Sequence, residues 1–250
     1  MKFFGIIPAR YASTRFPGKP LAMIGNKTMI QRVYEQASKC SLLSQVVVAT
    51  DDARILDHVQ GFGLAVMTGS HHQSGTDRCL EASKLLPGNL EPDPADVIIN
   101  IQGDEPFIQP EQIDRLALLF RDTGTSIGTL VKKIEDPHDL FNHNIVKVVF
   151  DRHGQALYFS RWPLPYVRGR QQEDWFEAHT YFRHVGMYGY RFGVLKQLAG
   201  LALSPLEKAE SLEQLRWLEN GFKIRLAETD HLSPGIDTPD DLKKVPPGWV

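Results

Sequence analysis

The sequence predicts a doubly wound α/β fold. Three observations indicate it: short apolar runs typical of buried strands, helical periodicity in the segments between them, and Gly, Pro, Asp or Ser at most junctions. The alternation of strand and helix favours one sheet covered on both faces, with ligands bound beyond the carboxyl ends of its strands. The chain length allows one large or two small domains, and the alternation of strands and helices favours a single domain over residues 1–250.

The predicted strands follow from the apolar runs. The run at 96–102 (Asp-Val-Ile-Ile-Asn-Ile-Gln) is the clearest, and it stops at Gly103-Asp104-Glu105-Pro106. Parallel strands are buried on both faces and therefore have such nearly continuous apolar sequences. The other predicted strands span 2–8, 45–50, 64–68, 126–134, 146–150, 156–160, 185–191 and 222–227.

The predicted helices follow from apolar spacing and from residues that favour helix starts. Met29, Val33 and Ala37 recur at i, i+4 and i+8, which predicts a helix over 28–40. Ser74 is a favourable N-cap, and Pro110 suits a first helical turn. The remaining helices are predicted after Asp51-Asp52 to about residue 60, from Ser74 to 86, from Pro110 onward, over 206–220, and from Pro239 after a cap at Asp237 or Thr238.

Composition excludes several classes of protein. The chain carries 28 Lys and Arg against 30 Asp and Glu, so it lacks the basic surface of a nucleic-acid-binding domain. Its apolar runs are too short to span a membrane, and two cysteines are too few for a disulfide framework. We therefore expect a cytoplasmic protein with no nucleic-acid or membrane partner.

The amino-terminal region contains a concentration of positive charge. Residues 1–34 hold six basic residues and no acid. Arg10, Arg15 and Lys19 lie in the loop after the first predicted strand, together with the hydroxyls of Ser13 and Thr14. That loop is at the ligand edge of the sheet, where guanidinium and ammonium groups could surround a polyphosphate. The alternative interpretation is an exposed basic loop without a ligand.

Two aspartates could complete such a site. Asp104 follows the clearest strand, and Asp237 precedes the last predicted helix. Mg²⁺ commonly binds one or two carboxylates together with substrate phosphates. Each residue also has an ordinary structural interpretation, because Asp104 suits a turn and Asp237 suits a helix cap.

A series of segments resembles one family of sugar nucleotidyltransferases. The segments are 8–19 (PARYASTRFPGK), 73–78 (QSGTDR), 102–106 (QGDEP), 158–161 (YFSR), 184–190 (HVGMYGY), 212–216 (LEQLR) and 235–239 (GIDTP). In this order they resemble the 3-deoxy-manno-octulosonate cytidylyltransferase family, over about residues 1 to 245. The resemblance implies a Rossmann-like mixed sheet of the nucleotide-diphospho-sugar transferase type with a protruding dimerisation arm.

The resemblance also implies a reaction. CTP and 3-deoxy-manno-octulosonate (Kdo) would give CMP-Kdo and pyrophosphate with Mg²⁺, for lipopolysaccharide biosynthesis. The arm would comprise residues 161–183 and help to form a homodimer; its aromatic content suits a buried interface, although a lid is an alternative.

The resemblance assigns residues to two sides of the site. On the phosphate side, Arg10, Arg15 and Lys19 would hold the triphosphate, Asp104 and Asp237 would carry Mg²⁺, and these five would form the catalytic group. The nucleotide pocket would also include Ala9, Ser13, Ser74, Arg78 and Gln102. The sugar-side set would be Arg161, His184, Tyr188, Glu210 and Gln214.

The side-chain chemistry of three sugar-side residues is consistent with these assignments, although the sequence leaves alternative functions open. Arg161 suits the Kdo carboxylate, and Glu210 and Gln214, four residues apart, would share one face of a helix. The alternatives are a CMP-sialic acid synthetase, a uridylyl or guanylyl transferase acting on a sugar 1-phosphate, and a regulatory nucleotide-binding domain without turnover. Asp77 stands where the family often has Glu.

Overall fold

The computed structural model describes residues 1–72, 74–88, 90–243 and 245. Gln73, the first residue of the second segment quoted above, lies outside them. The strands are β1 (Phe3–Ala9), β2 (Met23–Ile24), β3 (Lys27–Thr28), β4 (Gln45–Thr50), β5 (Ala65–Met67), β6 (Val97–Asn100), β7 (Ile127–Lys133), β8 (Lys147–Phe150), β9 (Ala156–Ser160), β10 (Phe182–Arg191) and β11 (Ile224–Glu228).

The helices alternate with these strands. They are α1 (Met29–Ala37), α2 (Ala53–Gln60), α3 (Gly75–Ser83), α4 (Pro110–Leu119), α5 (Pro137–Leu140), α6 (Trp175–Ala178), α7 (Phe192–Leu198), α8 (Pro205–Glu210), α9 (Glu213–Glu219) and α10 (Pro239–Lys243), with 3₁₀ turns at Lys19–Leu21 and Gln172–Asp174. No helix of the described part of the chain combines the length and apolar character needed to cross a bilayer.

The central sheet is mixed. Its strand order is β11-β7-β10-β6-β1-β4-β5. The pairs β1–β4, β1–β6, β4–β5 and β7–β11 are parallel, whereas β10 is antiparallel to both of its neighbours β6 and β7. The strands β8 and β9 extend the sheet from β10. The predicted doubly wound α/β class is therefore confirmed.

Apolar residues cover both faces of this sheet. Because neighbouring side chains of a strand point to opposite faces, adjacent residues of β6 enter different cores. Ile98 packs in the cluster that contains Trp217, and Ile99 packs in the one that contains Met187; all four are buried. The sheet is thus held from both sides, and its carboxyl edge can carry polar residues.

Local predictions and structure agree at many boundaries. The strands at 45–50 and 156–160 match the predicted spans, and Ser74 caps α3 by accepting a hydrogen bond from the amide of Asp77. Pro110 and Pro239 begin helices as expected. The strand predicted at 185–191 begins earlier, at Phe182, because residues 182–184 pair with β7 beyond a register shift.

The prediction of a single helix over 206–220 is wrong, because this segment forms two helices, α8 and α9. Ser211 has a φ of 52°, in the left-handed region, so the chain turns between α8 and α9. A left-handed residue cannot continue a right-handed helix. The apolar periodicity crosses the break, which explains why the sequence alone predicted one helix.

The predicted excursion at 161–183 has little regular structure. It contains the 3₁₀ turn and α6, and it re-enters the sheet at the start of β10. Trp175 is buried there in a small cluster with Ile134, Leu140 and Tyr181. The rings of Trp162 and Tyr166 are half or more exposed, at 50% and 70%.

Candidate active site

A cleft opens at the carboxyl ends of β1 and β6. Its volume is about 440 Å³. We call it the loop cleft, because the loop between β1 and the first 3₁₀ turn forms much of its wall. It brings together most of the phosphate-side residues predicted from the sequence: Ala9, Arg10, Ser13, Arg15, Lys19, Gln102, Asp104 and Asp237.

The basic loop folds around Tyr11. The carbonyl of Tyr11 accepts hydrogen bonds from the amides of Ser13, at 3.0 Å, and Gly18, at 2.9 Å. Gly18 has a φ of 73°, and a Cβ there would lie 3.1 Å from the Tyr11 ring, so this position favours glycine. The Arg54 guanidinium carbon lies 3.3 Å from the centre of the same ring. The loop thus returns on itself and directs its basic side chains to the cleft.

Backbone contacts bring the two aspartates together. The amide of Ile236 donates to the carbonyl of Asp104 at 2.9 Å, and Ile236 is buried. A Cβ at Gly103 would lie 2.6 Å from the carbonyl oxygen of Pro8, so only glycine allows this approach to β1. Segments far apart in the chain therefore present their carboxylates at one edge.

The charges of the loop cleft form one connected group. Lys19 Nζ donates to Asp104 Oδ2 at 2.8 Å and to Asp237 Oδ1 at 3.3 Å. The Arg15 guanidinium donates to both oxygens of Asp237, at 3.2 and 3.3 Å. Lys19 is 15% exposed and Arg15 is 66% exposed, so the group ranges from half-buried to open.

This arrangement fits a divalent cation. Both carboxylates already reach one positive charge, the ammonium of Lys19, and oxygen ligands are those that Mg²⁺ prefers. The described residues hold no cluster of three or more His, Cys, Asp or Glu suited to a metal. Two carboxylates are nevertheless sufficient where substrate phosphates supply further oxygens.

The carboxyl of Glu105, next to Asp104, lies in a different environment. Burial raises the pKa of Glu105 to about 8, the charge of Asp104 acts in the same direction, and Arg183 opposes both. At pH 7 Glu105 is therefore mostly protonated and adds little negative charge beside Asp104.

Three other predicted nucleotide residues have structural partners. Gln102 lines the loop cleft and donates to the carbonyl of Gly186, in β10, at 2.7 Å. The buried Arg78 guanidinium donates to Thr68 Oγ1 and, at 2.9 Å, to Asp51, which joins the ends of β4 and β5. Ser74 caps α3 and lines a separate cavity of about 720 Å³ with Glu213. Neither Ser74 nor Arg78 lines the loop cleft.

Arg161 and Glu210 of the sugar-side set lie in contact. Glu210 accepts hydrogen bonds from the amide of Arg161, at 2.9 Å, and from Ser160 Oγ, at 2.7 Å. The Arg161 guanidinium donates to three carbonyls, those of Glu210, His143 and Ser211, at 2.7 to 3.3 Å. A guanidinium has five N–H groups, so the named carbonyls leave two for a ligand.

His184 and Tyr188 lie in an aromatic region of β10. Their ring centres are 5.1 Å apart, and Tyr188 also meets Trp217 edge to face. Burial lowers the pKa of His184 to about 3, so its ring is neutral at pH 7, and Nε2 lies 2.9 Å from Thr129 Oγ1. Burial raises the pKa of Tyr188 well above its usual value, and its hydroxyl has no hydrogen-bond partner among the described residues.

Glu210 and Gln214 do not share one face of a helix. Glu210 ends α8, and the left-handed Ser211 separates it from the buried Gln214 of α9. The prediction from i, i+4 spacing is wrong for this reason. The two residues belong to neighbouring helices instead of one.

The sequence analysis missed two charged groups near the site, of which Lys147 is buried and Glu213 is half-buried. Glu213 accepts a hydrogen bond from Thr76 Oγ1 at 2.9 Å, and burial raises the pKa of its carboxyl. Lys147 is fully buried within β8. The signal for Lys147 was present in the sequence, because a lysine interrupts the apolar run Ile145-Val146-Lys147-Val148-Val149.

Comparisons with known proteins give the family. A sequence profile that describes cytidylyltransferases matches residues 4–224. A 3-deoxy-manno-octulosonate cytidylyltransferase of Parabacteroides distasonis is 53% identical over 250 residues, which covers 98% of this chain and 97% of that protein. The chain belongs to the 3-deoxy-manno-octulosonate cytidylyltransferases. It is therefore an enzyme of the nucleotidyltransferase class.

Other members and solved structures agree. The 3-deoxy-manno-octulosonate cytidylyltransferase of Bacteroides thetaiotaomicron is 54% identical over 247 residues, 97% of this chain and 96% of its own. A CMP:2-keto-3-deoxy-manno-octonic acid synthetase solved with CTP is 43% identical, with a TM-score of 0.89 over 98% of this chain and 96% of its own. A cytidylyltransferase of Leptospira borgpetersenii, at 20% identity and a TM-score of 0.60 over 96% of this chain and 83% of its own, shares the fold.

Proposed function

We propose that this cytidylyltransferase transfers a cytidylyl group from CTP to the anomeric hydroxyl of Kdo, releasing pyrophosphate and forming CMP-Kdo for lipopolysaccharide biosynthesis. One observation carries the proposal: two cations of the basic loop and two distant carboxylates converge in one cleft. Such a group suits a reaction in which a triphosphate must meet a second anion. The names of relatives above 50% identity support the choice of base and sugar.

We assign Asp104 and Asp237 as the residues that would hold Mg²⁺. The convergence of both carboxylates on Lys19 Nζ supports this assignment. Bound there, Mg²⁺ would neutralise triphosphate charge and stabilise the negative charge that develops on departing pyrophosphate.

The loop residues supply the remaining positive charge. Arg10, Arg15 and Lys19 would bind the triphosphate oxygens, with Ser13 beside them. Arg15 and Lys19 are paired with carboxylates in this structure. When CTP binds, its triphosphate would become their partner, and it carries more negative charge than a carboxylate. Positioning and charge stabilisation account for catalysis here, because phosphoryl transfer leaves little covalent work to the protein.

The nucleoside half of CTP would lie on the walls of the same cleft. We assign it to Ala9 and Gln102, with Ser74 and Arg78 supporting the wall from behind. Gln102 already joins the loop cleft to β10 through the carbonyl of Gly186. That contact connects the nucleotide side with the strand that carries His184 and Tyr188.

The sugar-side set would orient Kdo for in-line attack. Arg161 would bind its carboxylate, and Glu210, Gln214, Tyr188 and the neutral His184 would bind hydroxyls. The anomeric oxygen forms a bond to the α-phosphorus while the bond from that phosphorus to the bridging oxygen of pyrophosphate breaks. The hydroxyl proton would go to solvent, because the low pKa of His184 makes its ring a weak base.

We also propose that the segment 161–183 is an arm of a cytoplasmic homodimer. The exposed rings of Trp162 and Tyr166 are apolar surface that a second copy would cover. Light scattering of the purified protein should give twice the chain mass, and a Tyr166→Asp variant should shift it toward the monomer. A wild-type monomer would contradict this assignment.

A substrate panel tests the proposed reaction. The protein is incubated with each of CTP, UTP, GTP and ATP, with Kdo, sialic acid or a sugar 1-phosphate, while pyrophosphate release is followed. We expect release with CTP and Kdo only, and loss of release when EDTA removes divalent metal. Faster release with sialic acid, or with UTP and a sugar 1-phosphate, would contradict the proposal.

A further inference from the structure

Lys147 is a charged side chain in the core of the sugar-side region. It is fully buried in β8, and its ammonium donates to the carbonyls of Asn142, at 3.0 Å, and Ile145, at 2.6 Å. Both acceptors belong to the turn that precedes the strand. The ammonium therefore holds this turn in place by two charge-assisted hydrogen bonds.

The same turn contacts Arg161. The carbonyl of His143, which lies between the two acceptors of Lys147, accepts from the Arg161 guanidinium at 3.1 Å. Lys147 is also the cross-strand partner of Ser160, whose hydroxyl donates to Glu210 at 2.7 Å. Lys147 is thus connected to the Arg161–Glu210 pair in two ways, through the 142–145 turn and through Ser160.

Charged groups surround this ammonium on several elements. Glu210 and Asp139 favour its charged form, whereas Arg161 and Arg183 disfavour it. Burial makes the largest contribution and lowers the pKa of Lys147 to about 8. Taking an ammonium group out of water costs free energy, so burial by itself does not explain a lysine at this position. A directional role in holding carbonyls explains the lysine better.

We propose that Lys147 is a positioning residue for the sugar acid, which acts by fixing the 142–145 turn and through it the Arg161 guanidinium. The inference rests on the proposed function, since it takes Arg161 to be the partner of the Kdo carboxylate. It adds a residue that touches neither substrate. Its loss should weaken the use of Kdo while leaving the use of CTP intact.

The test is Lys147→Met, which keeps the length of the side chain and removes its donors. We expect the KM for Kdo to rise about tenfold, equivalent to about 1.4 kcal/mol, with the KM for CTP changed by less than about twofold. In an Arg161→Ala background the same substitution should change the Kdo KM by less than about twofold, because coupled residues are not additive. Lys147→Arg, which keeps the donors, should recover part of the loss.

The matched control is Lys132→Met. Lys132 is another buried lysine, in β7, and pairs with Glu135 at 3.0 Å. We expect it to leave the Kdo KM unchanged. An equal rise in both KM values for Lys147→Met, or a full additional rise in the Arg161→Ala background, would overturn the positioning role.

Failure of the two proposals can be told apart. A wild-type enzyme that does not form CMP-Kdo would overturn the proposed function before any variant is made. An active wild type with an unchanged Kdo KM in Lys147→Met would overturn only the role of Lys147. If Lys147→Met does not fold, Lys147→Gln takes its place with a smaller expected rise; failure of both to fold would assign Lys147 to stability and overturn positioning.

Discussion

The two sides of the proposed active site are built differently. On the phosphate side, Arg15 and Lys19 pair with carboxylate side chains, and Arg15 and Asp237 are about half exposed or more. On the sugar side, Arg161 donates to three backbone carbonyls, while His184 and Tyr188 lie among aromatic rings. The first is a group of paired charged side chains near solvent, and the second is a network of side-chain-to-backbone hydrogen bonds beside packed aromatic rings.

This difference predicts how each side responds to change. Exposed ion pairs contribute little to stability, so the phosphate side can exchange partners when a triphosphate arrives. A packed network leaves donors or acceptors unsatisfied when one member is removed, which costs stability as well as binding. Substitutions on the phosphate side should therefore lower turnover without lowering stability. Substitutions on the sugar side should weaken substrate binding and also lower stability.

The largest expected effect is that of Asp104→Asn. We expect kcat to fall by roughly a hundredfold to a thousandfold, since the variant loses a carboxylate that would hold the metal. The melting temperature should stay within a few degrees of the wild type. Steady-state kinetics at saturating CTP, Kdo and Mg²⁺ measure the first quantity, and calorimetry measures the second.

Asp240→Asn is the control for that variant. Asp240 lies in α10 near Asp237, but it is exposed and pairs with Lys243. The control should keep wild-type kcat. Near-normal turnover of Asp104→Asn would contradict the proposal that Asp104 holds Mg²⁺. It would also contradict the predicted difference between the two sides.

Arg161→Ala should give the next largest effect. The KM for Kdo should rise by roughly tenfold to a hundredfold, because the proposed charge-assisted hydrogen bond from Arg161 to the Kdo carboxylate would be lost. The KM for CTP should change much less. The melting temperature should fall by a few degrees, because the half-buried carbonyl of Glu210 loses its donor, whereas the carbonyls of His143 and Ser211 are exposed. Equal effects on both KM values would count against a carboxylate partner.

A smaller effect concerns pH and His184. The folded state holds the pKa of His184 at about 3, below its usual 6.5, so the unfolded chain binds the proton more readily. Stability from this group is therefore lost as the pH falls below about 6.5, by up to about 1.4 kcal/mol per pH unit. His184→Gln should flatten the fall in urea midpoint between pH 7.5 and 5.0, whereas the exposed His153→Gln should not. Identical slopes in wild type and His184→Gln would contradict this prediction.

Ser211→Gly should give the smallest effect. Ser211 is the non-glycine residue with positive φ in the described chain, and glycine adopts this conformation without steric cost. We expect a gain of about 0.5–1 kcal/mol in unfolding free energy, with the Kdo KM unchanged because the carbonyl that Arg161 uses remains. A lower melting temperature, or a changed Kdo KM, would show that the serine side chain itself matters.

The sequence predicted the phosphate side of the site better than the sugar side. The basic loop and Asp104 follow strands in the sequence. A residue that follows a parallel strand lies at the carboxyl edge of the sheet, so its position can be predicted. Arg161 also follows a strand, but its contacts depend on a turn at 142–145 and on Glu210, far along the chain. Periodicity cannot indicate such contacts, and it wrongly joined α8 to α9 across Ser211.

The sequence by itself determined the α/β class, the position of the basic loop at the ligand edge, and the family, because apolar patterning and local motifs are properties of contiguous residues. Only the tertiary structure decided which charges meet. The pairing of Asp104 with Asp237 through Lys19 depends on backbone contacts between distant segments. The burial of Lys147 behind Arg161 likewise depends on β8 pairing between β9 and β10, which no local pattern specifies.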